Sequence, residues 1–85
     1  MIESGLIVKL SNNKKYLITD STIENGKVYY LALEVDYKSD IPTEESIFFE
    51  HGNDNTLIPI KIESDIEFLK TVFVNKFLDN VIENN

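Results

Sequence analysis

The chain's 85 residues, 42% of them apolar, with nine aromatics, three glycines and two prolines, can build one small core but are too few for two domains. The absence of cysteine excludes disulfides and thiolate metal or redox sites, and no run approaches the ~20 apolar residues of a membrane span. Fifteen acids against eight lysines, with no arginine, give a net charge of −7, which argues against direct binding to nucleic-acid phosphates or to an acidic membrane surface.

In chain order, Leu6, Val8 and Leu10 alternate with Ile7 and Lys9, the period-2 pattern of a strand over about residues 5–10. The short apolar run behind Glu3 has the wrong charge order for a signal peptide, so a soluble cytoplasmic protein is expected. The polar "SNNKK" reads as a turn into a second strand at 15–19. After "DSTIENGK", whose Asn25-Gly26 tolerates positive φ, comes the longest strand signal, 27–36, with Tyr29, Leu31, Leu33 and Val35 on one face. Val28, Tyr30, Ala32 and Glu34 occupy the other. "YKSDIPTEES" reads as a long turn, "SIFFE" as a fourth strand at 46–50, and "HGNDN" as another turn. A fifth strand follows at 56–62, where Pro59, lacking an N–H, belongs at a sheet edge.

Ser64 followed by Glu67 predicts a capping box opening a helix over about 65–83, with Asp65 adding favourable charge at its start. Ile66, Leu69, Phe73, Phe77 and Val81 form its apolar stripe, while Phe68, Val72, Leu78 and Ile82 fall outside it. The expected fold is therefore α+β: one small domain, 1–85, made of an antiparallel meander of about five strands and one C-terminal helix packed on the sheet. One helix covers about 10 Å of a sheet roughly 20 Å wide. Ile7, Val28, Tyr30, Phe48 and Leu57 are predicted to lie on the face away from the helix, so the sheet either curls toward a barrel or buries that face against another molecule. Tyr30, Phe48, Phe68 and Val72 are the candidate oligomer face, and a homodimer is one expected assembly.

The run from "VYYLALEVD" through "SIFFE", "TLIPI" and "ESDIEFLKTVFVNKF" is similar to a family of small acidic uncharacterised proteins of low-GC Gram-positive bacteria. In that family an L-x-P-I strand precedes an acidic capping turn and an amphipathic helix, matched in part here by Leu57, Pro59, Ile60, Glu67, Phe68, Thr71 and Phe77. The resemblance implies the meander-plus-helix fold and no activity, substrate or cofactor.

Catalytic chemistry finds little support, so no enzyme, cofactor or metal is expected. His51, the only histidine, sits in a predicted turn with no partner spaced to orient it, and no serine lies in a nucleophile elbow. Asp36, Asp40, Glu44 and Glu45 could gather around a hard cation but lack the calcium-loop spacing, and are read as solvated loop charge. Tyr29 and Tyr30 alternate as stacking platforms do, yet without a basic groove they are read as packing residues.

The acids are concentrated, however: Glu34, Asp36, Asp40, Glu44, Glu45, Glu50 and Asp54 stand against Lys38 alone. The leading expectation is a non-catalytic module that presents these seven residues to a basic protein surface. In its sharper form it is a nucleic-acid mimic that inhibits a nucleic-acid-binding protein, as small phage proteins of the anti-CRISPR type do. The alternatives are a structural subunit or homodimer, and a small-molecule- or metal-responsive domain with a pocket near Tyr29, Tyr30 and His51.

Overall fold

The computed structural model describes residues 2–83, with side chains described except at Asn55 and residues 80–83. Val81, expected on the apolar stripe, and Ile82, expected outside it, thus fall outside the described side chains. Strands β1 (Ile7–Lys9), β2 (Lys15–Glu24), β3 (Lys27–Val35), β4 (Pro42–His51) and β5 (Leu57–Pro59) form one antiparallel sheet in the order β1-β2-β3-β4-β5. A 3-10 turn (Asn53–Asn55) joins β4 to β5, and helix α1 (Glu63–Glu83) follows. The fold is the α+β meander expected from the sequence.

β1, expected over about residues 5–10, is confined to Ile7–Lys9, and local chemistry accounts for three larger departures from expectation. Asn25 (φ 53°) and Gly26 (φ 78°) form a two-residue hairpin turn between the paired Glu24 and Lys27, so β2 runs on through the segment predicted as loop. A bulge between Ile18 and Asp20 adjusts its register, and the Thr19 hydroxyl there donates to the Leu31 carbonyl at 3.0 Å. β4 begins at Pro42 instead of Ser46, because the turn is shorter than expected. The Asp36 and Ile41 backbones close it at 2.9 Å, and the Thr43 hydroxyl anchors the new strand on the Glu34 carbonyl at 2.8 Å.

β5 is shorter than expected, ending at Pro59 with one further bond from Ile60 N–H to the Phe48 carbonyl at 2.9 Å. It occupies the sheet edge, where its proline costs no ladder bond. The helix starts two residues early, at Glu63. The Ile62 carbonyl accepts the first helical bonds, from Asp65 N–H at 3.1 Å and Ile66 N–H at 3.0 Å. Ser64 therefore sits inside the first turn and makes no capping box with Glu67. Glu63 and Asp65 supply negative charge at the helix's positive end instead.

Two clusters fill opposite faces of the sheet. On the helix face, Leu69 and Phe73 rest on Phe48, with Tyr29, Leu31, Ile60 and Ile66 around them. The Phe48 and Phe73 rings stack at 5.7 Å with 14° between their planes. On the other face, Tyr16, Ile18, Tyr30, Ala32 and Phe49 form a core that Val8 of β1, Leu10 just after it, Leu57 of β5 and the N-terminal Ile2 help to close. That face is buried by curling of the sheet on itself. Two residues predicted to face away from the helix do not. Phe48 lies beneath it, and Ile7 opposes Leu17, in alternation with the inward-facing Val8–Tyr16 pair, and is exposed.

Candidate protein-contact surfaces

α1 descends onto the sheet along a narrow keel. At 100° per residue, Leu69, Phe73 and Lys76 share the side that faces the strands. The Lys76 ammonium reaches the Asp20 carboxylate at 3.0 Å and also donates to the Ser21 carbonyl, pinning the middle of the helix to β2 beside its bulge. Phe77, expected on the buried stripe, falls to one flank and is 64% exposed. Val74 and Leu78, three residues before and one after it, are 56% and 48% exposed on the same flank. On the opposite flank Phe68 is 49% exposed and Val72 is half-buried.

Of the four residues expected to form an oligomer face, only Phe68 and Val72 remain available. Tyr30 is completely buried and Phe48 is covered by Phe73, so both are core residues. Of the flank formed by Val74, Phe77 and Leu78, sequence reasoning marked Leu78 as lying outside the buried stripe but missed Val74 and assigned Phe77 to the stripe. Periodicity marked Phe77 as apolar surface, but it carries no information on where the sheet beneath the helix ends.

The seven clustered acids are dispersed by the fold. Glu34, Asp36, Asp40, Glu44 and Glu45 lie around the end of β3 and the start of β4, while Glu50 and Asp54 lie at the far end of β4 and in the turn beyond it. Lysines distant in sequence interleave with them. Lys14 approaches Glu34 at 3.5 Å, Lys15 approaches Asp40 at 2.9 Å and Lys27 approaches Glu50 at 3.6 Å. Lys9 and Lys15 also place their ammonium groups 5.6 Å and 5.0 Å from the Tyr37 ring centre.

Asp36 is a local brace. Its carboxylate accepts from the Ser39 and Lys38 backbone N–H groups at 3.0 Å each and from the Ser39 hydroxyl at 3.1 Å. These bonds, the Ser39 N–H foremost, hold its carboxyl below the ordinary value of 3.8. Among the seven, Asp36, Glu44, Glu45 and Asp54 have exposed side chains with no ion pair among the described residues.

His51 has the partner that the sequence did not reveal. Its Nδ1 lies 2.8 Å from the buried Tyr30 hydroxyl, which also accepts the Ile2 backbone N–H at 3.0 Å. Having accepted from Ile2, the hydroxyl still has one proton and one lone pair for Nδ1, and the His51 tautomer sets the direction of that bond. The arrangement ties the N-terminal segment to the core. Tyr29, on the other face, has its phenol pushed above the ordinary 10.0 by burial and then by the Glu50 carboxylate. No group of three or more His, Asp or Glu side chains suited to a metal occurs among the described residues, and no helix is long and apolar enough to cross a membrane.

Comparison of the chain with protein-family models, curated proteins and solved structures finds no match.

Proposed function

We propose that the protein is a non-catalytic, cytoplasmic protein-binding module that docks through the apolar flank of α1. The observation that carries this reading is the exposure of Val74, Phe77 and Leu78 side by side on a helix whose sheet-facing side is already occupied. With ~200 Å² for a fully exposed phenylalanine and somewhat less for valine and leucine, the flank leaves on the order of 300 Å² of apolar surface in water. Covering it is worth about 7 kcal/mol before the costs of association. Homodimerisation is the simplest way to cover it.

A second reading assigns contact to the acids and takes the protein as an inhibitor of a basic nucleic-acid-binding protein. Its support is the exposure of Glu44 and Glu45 at the start of β4, where neither carboxylate has an ion pair among the described residues. The ion pairs at Glu34, Asp40 and Glu50 weigh against it, because they cancel much of the field that would steer a basic partner.

Sedimentation velocity on the wild type and on a Val74→Glu/Phe77→Glu double variant tests the first reading. Concentration-dependent dimers that the double variant abolishes without lowering its melting temperature support it. Dimers unchanged in the variant contradict it, as would a wild-type monomer whose partner binds the variant equally well.

A further inference from the structure

The curled sheet stops short of closing, and the opening has the chemistry of a missing strand. β1 and β5 flank a cleft of about 420 Å³ whose apolar lining comes from Ile2, Val8, Leu10, Leu57 and Pro59. The hydrogen-bond phase of each strand decides which backbone groups face this cleft. Leu10 N–H bonds the Lys14 carbonyl and Ile18 N–H the Leu6 carbonyl, so the even residues of β1 face β2 and Ile7 and Lys9 point outward. Gly52 N–H bonds the Thr56 carbonyl and Ile60 N–H the Phe48 carbonyl, so Leu57 and Pro59 of β5 also point outward. Two unpaired edges thus share one apolar cleft.

Strand direction selects the occupant. Each of β1 and β5 is two antiparallel steps from β3, so they run the same way and a direct pairing between them would be parallel. A single strand running the opposite way between them is antiparallel to both, and completes a six-stranded alternation around the barrel. The cleft's charge is also distinctive in this acidic chain. Among the described residues no carboxylate lines it, and Lys9 is the one charged side chain there. The shortness of both edges and the missing N–H of Pro59 discourage indiscriminate pairing, while leaving donors at Ile7, Lys9 and Leu57.

We propose that this seam binds an extended peptide segment of a partner protein by strand addition, with alternate apolar side chains turned into the barrel and an acidic residue beside Lys9. The seam and the α1 flank are separate surfaces, so the proposal stands independently of the helix reading.

The test pans a random 12-residue phage-displayed peptide library on the immobilised 85-residue protein. Enriched peptides are synthesised with and without a backbone N-methyl group at a central position and titrated into ¹⁵N-labelled protein. Expected are enriched sequences with apolar alternation, slowed amide exchange at Ile7, Lys9 and Leu57, and binding weakened roughly tenfold by N-methylation, the loss of about one main-chain bond. Ile7→Pro, which removes an outward donor, should weaken binding similarly, whereas Phe77→Glu should leave it unchanged. No enrichment over uncoated wells overturns the proposal, and so does protection confined to other amides or binding indifferent to N-methylation.

Discussion

Replacing Phe73 with alanine tests how the helix is held. Phe73 is 6% exposed and stacked on Phe48, and with Leu69 it supplies the fully buried part of the contact between α1 and the sheet. Buried Phe→Ala changes cost about 3–5 kcal/mol. The lower end applies here, about 3 kcal/mol, because the helix has bare flanks and can settle toward the vacated space. A domain of this size has a total stability of roughly 4–13 kcal/mol, so the loss is a large share of it and lowers the melting temperature by about 12 °C or more. Phe48→Ala should cost a similar amount. Because the rings touch, the double variant should fall short of the sum by about 0.5–1.5 kcal/mol. Urea denaturation followed by far-UV circular dichroism on all four proteins measures the cycle. A Phe73→Ala cost below about 1 kcal/mol, or strictly additive effects, would refute the view that this ring pair fastens the helix.

The remaining predictions address single interactions. Tyr30→Phe removes the hydroxyl that joins Ile2 to His51 and should cost about 1–3 kcal/mol by thermal melting; a neutral result would mean that water replaces the hydroxyl without loss. Gly52→Ala places a Cβ against the Thr56 hydroxyl, itself bonded to the Asn53 carbonyl at 2.7 Å, and 3.0 Å from Ile58 Cδ1. It should cost about 1–3 kcal/mol although Gly52 has an ordinary φ of −92°, and unchanged stability would show that the turn yields freely. Asp36 has a lowered carboxyl pKa, so its contribution to stability is present above the unfolded value and lost as pH falls through the folded one. A ¹³C carboxyl titration should find its midpoint below 3.8, and a midpoint at or above that value contradicts the bracing role.

Much of the architecture was legible because strong local signals agreed with the tertiary solution. Asn25-Gly26 specified a hairpin, the alternation from Val28 to Val35 specified a two-sided strand, and Pro59 marked an edge. The Ile66, Leu69 and Phe73 spacing identified the helix's buried keel. The start of β4 was hidden because Pro42 and the neighbouring acids have turn composition, and the register irregularity between Leu33 and Val35 breaks the alternation there. "SIFFE" offers two adjacent phenylalanines, either of which could face the helix. The register that sets Phe48 opposite Leu31 and Phe49 opposite Tyr30 puts Phe48 on the helix face and Phe49 in the opposite core. The acids looked like one surface because they are close in sequence. Their pairing with Lys14, Lys15 and Lys27 depends on strand register, which charge counting does not contain.

The most direct test of the apolar docking surface is quantitative capture of partners by tagged wild type, Val74→Glu/Phe77→Glu and Glu44→Gln/Glu45→Gln, each washed at low and at high salt. The account predicts that the bound protein, whether a second copy or another chain, survives high salt, is retained by the glutamine variant and is lost from the helix variant. A partner that washes off in high salt, disappears with Glu44→Gln/Glu45→Gln and remains on the helix variant would contradict it and return the function to the acids.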